Sequence, residues 1–200
     1  MKATWTARWN LRRETSLTAA FILALLLGGR VRSDQANPNV PGDMSQFDDV
    51  SLLKVVEEGR RQHDQQMRDF RHATDRAQTL LTISLVVLGF IAATLNRVLH
   101  APGARATVAL AIWALSILLT VVGVAAAAGV AVVAAEFKKM DTTIVSNFTP
   151  PILRELADNY AESVRLGQLT LDDRVTVFRQ AVRFVSWGAI LSATAFALAS

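Results

Sequence analysis

Residues 77–135 read AQTLLTISLVVLGFIAATLNRVLHAPGARATVALAIWALSILLTVVGVAAAAGVAVVAA, and this stretch decides the fold. Only two of its side chains are charged, Arg97 and Arg105, and both lie in one short break. The run before the break, residues 77–95, makes a helix of about 28 Å, which matches the roughly 30 Å hydrocarbon core of a bilayer. The run after it, residues 107–135, makes about 43 Å and crosses a bilayer with tilt or a bend. The stretch therefore predicts a transmembrane helical hairpin.

The composition of the whole chain agrees with a membrane protein. Of its 200 residues 52% are apolar, and the mean hydropathy is +0.30, which is more apolar than a typical soluble domain. The chain has no cysteine, which excludes disulfides, thiolate metal sites and a cysteine nucleophile. The net charge is only +4, with arginines clustered beside apolar runs, and this pattern favours anionic lipid headgroups over nucleic acid.

A charged helix is predicted to lead into the hairpin. No proline interrupts the chain from residue 50 to the first span, so we expect residues 50–76 to form a cytoplasmic stalk helix that continues into the membrane without a break. The apolar residues that recur at helical spacing are Leu53, Val56, Met67, Phe70, Ala77 and Leu81. Two acid–base pairs are spaced for ion pairing on its surface: Glu57 with Arg61, and Asp64 with Arg68.

Residues 136–183 are polar again and predict cytoplasmic helices. Thr149 before a proline is typical of a helix start, and the apolar stripe that follows it ends near Gly167. Thr170 with Asp173 three residues later resembles a capping box, which predicts a second helix that runs toward the C-terminus.

The N-terminal residues 1–49 contain an apolar segment that is too short to span a bilayer alone. Its thirteen uncharged residues, 17–29, make a helix of only about 20 Å. An interfacial anchor, a weak signal peptide and a mispredicted gene start all fit this layout. We favour a true start at Met44, because residues 33–49 are a proline-containing linker and every other predicted element follows it.

These elements together predict an all-α integral membrane protein with a transmembrane hairpin and a third, C-terminal span. The third span is residues 184–200, which are uncharged for seventeen residues, the lower limit for crossing. Lys and Arg number five in residues 57–76, two in 96–106, three in 136–155 and four in 165–183. The positive-inside rule then puts the stalk and residues 136–183 in the cytoplasm, in a multi-pass protein of the cell membrane.

Small residues mark the candidate packing faces within the spans. Ala125 with Gly129, and Gly188 with Ser192, are small-xxx-small pairs of the kind that let helix backbones approach closely in lipid. The hydroxyl side chains of the spans are expected to bond the carbonyls of their own helices: Thr79, Thr82, Ser84, Ser116 and Thr120.

The sequence offers no catalytic or metal-binding motif, and no cofactor is predicted. No ionisable side chain lies within a predicted span, which disfavours an ion-coupled transporter. His63, Asp64, Asp69 and His72 are interpreted as solvated stalk residues rather than a metal site. Asp172 and Asp173 are interpreted as first-turn acids that complement a helix dipole.

The junction of stalk and membrane carries a resemblance to a known group. Asp75-Arg76-Ala77 followed by Leu80-Leu81, then a tight two-span hairpin and a cytoplasmic return helix into a third span, resembles the Pycsar effector transmembrane family and the related SLATT two-span domains of bacterial phage defence. The resemblance covers about residues 50–200 and is one of layout. The family tends to carry Lys where this chain has Arg76. The resemblance implies a protein that senses a nucleotide signal directly or through a signalling partner, oligomerises and impairs the membrane.

Two hypotheses of function follow. The first is a non-enzymatic membrane effector or self-associating scaffold whose partners are the lipid bilayer, further copies of itself and a nucleotide second messenger, with no nucleic acid. The second is an accessory subunit of a transporter or channel, whose polar pathway residues belong to another chain.

Overall fold

Helices account for nearly all of the residues that the structure describes. The structure is a computed structural model and describes residues 11–27, 46–102, 104–133 and 152–200. The helices are α1 (Leu11–Leu27), α2 (Asp49–Leu99), α3 (Ala104–Val132) and α4 (Ile152–Leu198). No strand occurs within these four ranges, so the predicted all-α fold is confirmed. The predicted start at Thr149 and most of the predicted linker lie outside the described residues.

Helix α2 joins the stalk to the first apolar run without interruption, as predicted. Its first turn is capped by Asp48, whose Oδ1 accepts a hydrogen bond of 3.2 Å from the Ser51 amide. Hydrogen bonding from the Ser51 hydroxyl, and then from its amide, holds the pKa of the Asp48 carboxyl below its usual value. The helix continues for 51 residues, because it contains no proline, and ends at Leu99 shortly before Pro102.

Helix α4 is one helix of 47 residues, so the predicted end near Gly167 and the predicted new start at Thr170 are wrong. Thr170 does not cap a helix, because its Oγ1 donates to the Leu166 carbonyl one turn earlier at 2.9 Å. Asp172 and Asp173 consequently lie in mid-helix, where they cannot complement the dipole of a first turn. A glycine lowers helix propensity by only about 1 kcal/mol, and packing against α2 outweighs that cost.

The lower parts of α2 and α4 pack together as a two-helix stalk, which we define as residues 49–76 with residues 152–173. Gln66 Nε2 donates to the Val164 carbonyl across this pair at 2.8 Å. A Cβ added at Gly59 would lie 2.9 Å from Tyr160 Cβ, so the two backbones approach closely there. One predicted surface ion pair of the stalk differs in the structure, since Arg61 pairs with Glu58 at 3.0 Å rather than with Glu57.

Above the stalk, α3 joins the other two helices in a three-helix bundle, formed by residues 77–99, α3 and residues 174–198. The hairpin is tied by Trp113, whose Nε1 donates to the Ile91 carbonyl at 2.9 Å. Three helices, α2, α3 and α4, are long and apolar enough to cross a membrane. That finding agrees with the three predicted spans by length and composition.

The bundle buries mostly small side chains and exposes many large apolar ones, which is the reverse of the arrangement in a soluble protein. Its buried positions are dominated by alanine, glycine and hydroxyl residues, among them Ala77, Ala109, Ser116, Thr120, Ala126, Ala127, Ala181 and Ser192. Many of its large aliphatic side chains point outward, and Leu85 and Val86 are 67% and 71% exposed. Small interiors allow close helix packing in lipid, where a large apolar exterior carries no penalty.

A seven-residue repeat of buried positions runs from the stalk into the bundle. On α2 the positions 52, 59, 66, 80 and 94 are buried, while 73 and 87 are half-buried. On α4 the buried positions 167, 174, 181, 188 and 195 follow the same repeat. We call these two rows the seam. The phase of the α2 row puts Leu52 inside at 2% exposed, whereas Leu53, one of the apolar residues at helical spacing, is 53% exposed.

Helix α1 packs on α3 and α4 near the lower end of the bundle. Phe21 and Ala24 are buried in the same apolar cluster as Ala126, Ala127 and Val130. Its opposite face is apolar and exposed, with Leu26 and Leu27 about three-quarters accessible.

Candidate functional site at the base of the bundle

Arg174 is the centre of the site, because it is a charged side chain buried where the stalk meets the bundle. It is 1% exposed. Its Nη1 and Nη2 donate to the carbonyls of Val130 and Val133, at the C-terminal end of α3. Carbonyls in the last turn of a helix lack donors from the helix itself, and a cation is favoured there by the helix dipole. Arg174 therefore caps α3 from α4.

Aromatic rings from two further helices enclose the Arg174 guanidinium. Its Cζ lies 4.4 Å from the ring centroid of Phe70 on α2 and 6.0 Å from that of Phe21 on α1. Cations over aromatic faces at such distances are attracted to them, more strongly where water is excluded. Arg174 thus touches all three other helices of the described chain.

The charge of Arg174 is retained despite its burial. Arginine stays charged in proteins, because its delocalised guanidinium holds its proton even where water is excluded. The side chain therefore remains protonated at neutral pH and keeps its attraction to the α3 carbonyls and to both rings.

A second polar group lies two turns further along α4 and attaches α1. Glu14 Oε2 accepts a hydrogen bond from Gln180 Nε2 and one of 3.3 Å from Arg183 Nη1. The Arg183 and Glu14 side chains are 30% and 18% exposed, so water screens this pair only in part. The group fixes the position of α1 along α4.

The predicted small-residue pairs lie at contacts between helices of the same chain. Gly129 of α3 faces α1, where an added Cβ would lie 3.2 Å from the Phe21 carbonyl oxygen. Gly188 of α4 faces α3, where an added Cβ would lie 2.1 Å from Thr120 Oγ1. Ala125 is half-buried one turn before Gly129, and Ser192 is fully buried one turn after Gly188.

The hydroxyl groups of the bundle are used locally, as predicted. Each of Thr79, Thr82, Ser84, Ser116 and Thr120 donates to a carbonyl three or four residues earlier. Within the described ranges, only the Ser192 hydroxyl among the buried serines and threonines has no hydrogen-bond partner.

The predicted junction residues divide between core and surface. Ala77 is fully buried and Leu80 is 8% exposed, and both belong to the apolar cluster that also contains Phe21 and Val130. Leu81 is half-buried and packs against that cluster, whereas Asp75 and Arg76 are exposed. The junction therefore supports the bundle from inside and presents charge outside.

The rejected metal and carboxylate candidates do not converge in the structure. His63 is half-buried, while Asp64, Asp69 and His72 are exposed. Across the described part of the chain, no group of three or more His, Cys, Asp or Glu side chains is placed to hold a metal ion. Asp173 is buried and its neighbour Asp172 is exposed, so the two carboxylates face different surroundings.

Sequence reasoning missed the roles of Arg174 and Glu14. The sequence prediction treats Arg174 as one of four cytoplasmic cations in residues 165–183, and Glu14 lies in the N-terminal segment to which it assigns no contact. A signal for Arg174 existed in the spacing, since it shares a seven-residue register with Gly167, Ala181 and Gly188. A charge in a row of small residues indicates a buried contact.

The chain matches no protein-family model, no curated protein and no solved structure. Its function must therefore be inferred from its own residues and contacts.

Proposed function

We propose that this chain is a non-enzymatic, multi-pass membrane protein whose cytoplasmic stalk controls a lipid-embedded bundle, and that copies of it associate to impair the membrane. The observation that carries this proposal is the seam, which runs through α2 and α4 from charged stalk to apolar bundle. Both helices are continuous across the junction. A shift of one stalk helix against the other therefore reaches the bundle without an intervening joint.

The reversed size pattern supports a lipid environment for the bundle. Leu85 and Val86 expose about two-thirds of their surface in the middle of an apolar helix, and such side chains recur around all three helices. In water, exposed apolar area of this kind drives association or aggregation. In lipid the same side chains meet hydrocarbon, and close contacts such as that of Gly188 hold the helices together.

The cation distribution supports a cytoplasmic stalk. Arg76 is exposed at the lower end of the first span, and five Lys and Arg residues lie in residues 57–76 against two in residues 96–106. Short segments rich in cations remain on the cytoplasmic side.

We propose that the signal to the stalk is a nucleotide second messenger or a protein that carries it. The support for this step is the resemblance in layout to the Pycsar effector transmembrane family, in which a stalk adjoins a two-span hairpin. Arg174 would connect the stalk to the bundle, because it contacts both Phe70 of the stalk and the end of α3.

A leakage experiment on liposomes tests the proposed function. Full-length protein is reconstituted at increasing density into vesicles that contain a self-quenched dye. We expect leakage that rises with protein density. A Gly59→Leu variant, which forces the stalk helices apart at Tyr160, should change that leakage. The matched Gly89→Leu variant should not, because nothing lies within 4 Å of a Cβ added there.

Two results would count against the proposal. Vesicles that stay tight at every density would exclude membrane impairment. Equal leakage from the wild type and the Gly59→Leu variant would show that the packing of the stalk helices does not control leakage. Purification in mild detergent tests the alternative hypothesis of an accessory subunit of a transporter or channel. An unrelated protein that co-purifies with this chain in a fixed ratio would favour that hypothesis.

A further inference from the structure

We propose that α1 is an exchangeable arm, and that in the associated form the α1 of one copy occupies the groove between α3 and α4 of a second copy. This inference rests on the proposed self-association and names the contact that produces it. The second copy would supply two side chains to the site at the base of the bundle, Glu14 and Phe21.

The groove fits α1 at the level of the backbone. The Phe21 carbonyl oxygen and Cβ lie 3.2 Å and 3.3 Å from a Cβ built on Gly129, so a side chain at that position would press on the α1 backbone. Phe21 is 3% exposed and Ala24 is 8% exposed. The groove is therefore shaped for this helix and gains burial from whichever copy provides it.

Charge complementarity also identifies α1 as the occupant of the groove. Without α1, the buried end of the groove would present Gln180 and Arg183 with no acceptor from Glu14, and Arg174 would lose the Phe21 ring. An α1 from a second copy restores all of these contacts. The groove consequently favours an occupied state but does not distinguish the chain to which the arm belongs.

The connection between α1 and the rest of the chain permits exchange. Among the described helices, α1 packs on α3 and α4, and no comparable packing joins it to α2, which follows it in sequence. The 21 residues between Leu27 and Asp49 have a covalent reach of up to about 70 Å. Exchange of an identical element between copies needs no new interface, which makes it a low-cost route to a dimer.

Disulfide trapping tests the exchange, and the chain suits it because it contains no cysteine of its own. One chain carries Phe21→Cys and a second, distinguished by a larger tag, carries Gly129→Cys. Their Cβ atoms are placed 3.3 Å apart, close to the range of a disulfide. After co-expression and oxidation in membranes, we expect a disulfide-linked heterodimer. In the control, Leu26→Cys replaces Phe21→Cys. Leu26 is 75% exposed on the opposite face of α1, so this pair should give no heterodimer.

A charge exchange provides a second measurement. One chain carries Glu14→Arg, which places two arginines together, and a second chain carries Arg183→Glu, which places two glutamates together. When both chains are in one membrane, each groove receives an arm of opposite charge only if the two chains exchange their α1 helices. We therefore expect a mixed dimer that neither chain forms alone.

The outcomes separate this inference from the proposed function. If the Phe21→Cys, Gly129→Cys double variant forms its disulfide only within one chain, and the mixture gives no heterodimer, the exchange is overturned. Leakage from that internally locked protein would then leave the proposed function standing. A heterodimer in vesicles that never leak would support the exchange and overturn membrane impairment.

Discussion

At the scale of single residues, the bundle depends on positions where a side chain is absent. Gly188 and Gly89 are both glycines of membrane-length helices, yet their surroundings differ completely. A Cβ on Gly188 would lie 2.1 Å from Thr120 Oγ1 and 3.0 Å from the Ser116 carbonyl oxygen, whereas a Cβ on Gly89 meets nothing within 4 Å. The sequence alone shows two glycines in apolar runs and does not distinguish them.

We therefore expect Gly188→Ala to destabilise the bundle and Gly89→Ala to leave it intact. Overpacking at Gly188 should lower the free energy of unfolding by about 1–3 kcal/mol. Ala at position 89 should change it by about 1 kcal/mol or less, because it only improves helix propensity. Unfolding in mixed detergent micelles, followed by circular dichroism, measures both. Equal stability of the two variants would show that α3 and α4 do not approach closely at Gly188.

Residue-level sequence predictions succeeded where the relevant contact is local. The hydroxyl groups of Ser84 and Thr120 bond to carbonyls within four residues, and that outcome follows from helix geometry alone. The helical spacing that includes Leu53 does not identify Leu52 as the buried residue, because the buried face of α2 is set by packing against α4, about 100 residues away in sequence.

At the scale of elements, continuity was predictable for α2 but not for α4. The charged and apolar parts of α2 share one helical pattern with no proline, so a single helix was the expected result. In α4, Gly167, Thr170 and Asp173 together imitate a helix end followed by a helix start. The packing of α4 along the stalk overrides those local signals, and a single sequence contains no direct record of that packing.

The docking of four helices at Arg174 gives a prediction at the same scale. Arg174→Met keeps the bulk of the side chain but leaves the end of α3 without its donors, and unsatisfied buried carbonyls should cost about 1–3 kcal/mol. The matched Arg179→Met removes an exposed arginine five residues later and should cost no more than about 0.5 kcal/mol. The same detergent unfolding assay compares them, and an equal effect of the two substitutions would contradict the capping role.

At the scale of the whole molecule, the long apolar helices were the feature most easily predicted from the sequence. The three apolar helices agree with the three predicted spans, since charge is excluded from long runs. The placement of α1 was not accessible, because its thirteen uncharged residues fit several interpretations equally well. The contacts of α1 through Glu14 and Phe21 involve residues of α3 and α4 that lie more than 100 positions away in the sequence.

The proposed topology predicts which of two exposed histidines a reagent can reach. His72 lies on the stalk and His100 lies at the turn after α2, and both are exposed. In intact cells, a membrane-impermeant thiol reagent should label His100→Cys but not His72→Cys. Both should be labelled once the membrane is permeabilised. Labelling of His72→Cys alone in intact cells would invert the topology.

The repeat of seven along α2 and α4 also sets a handedness for the molecule. Seven residues fall short of two turns of a straight α-helix by about 20°, so a row of positions spaced in this way drifts steadily around each helix. From Leu52 to Thr94 the row covers six repeats, a cumulative drift of about 120°. Helices that keep such rows buried against their neighbours wind around those neighbours to the left. In a coil of this kind, an axial shift of one helix requires it to rotate about its neighbour, so we expect a displacement of the stalk helices to turn the bundle helices as well.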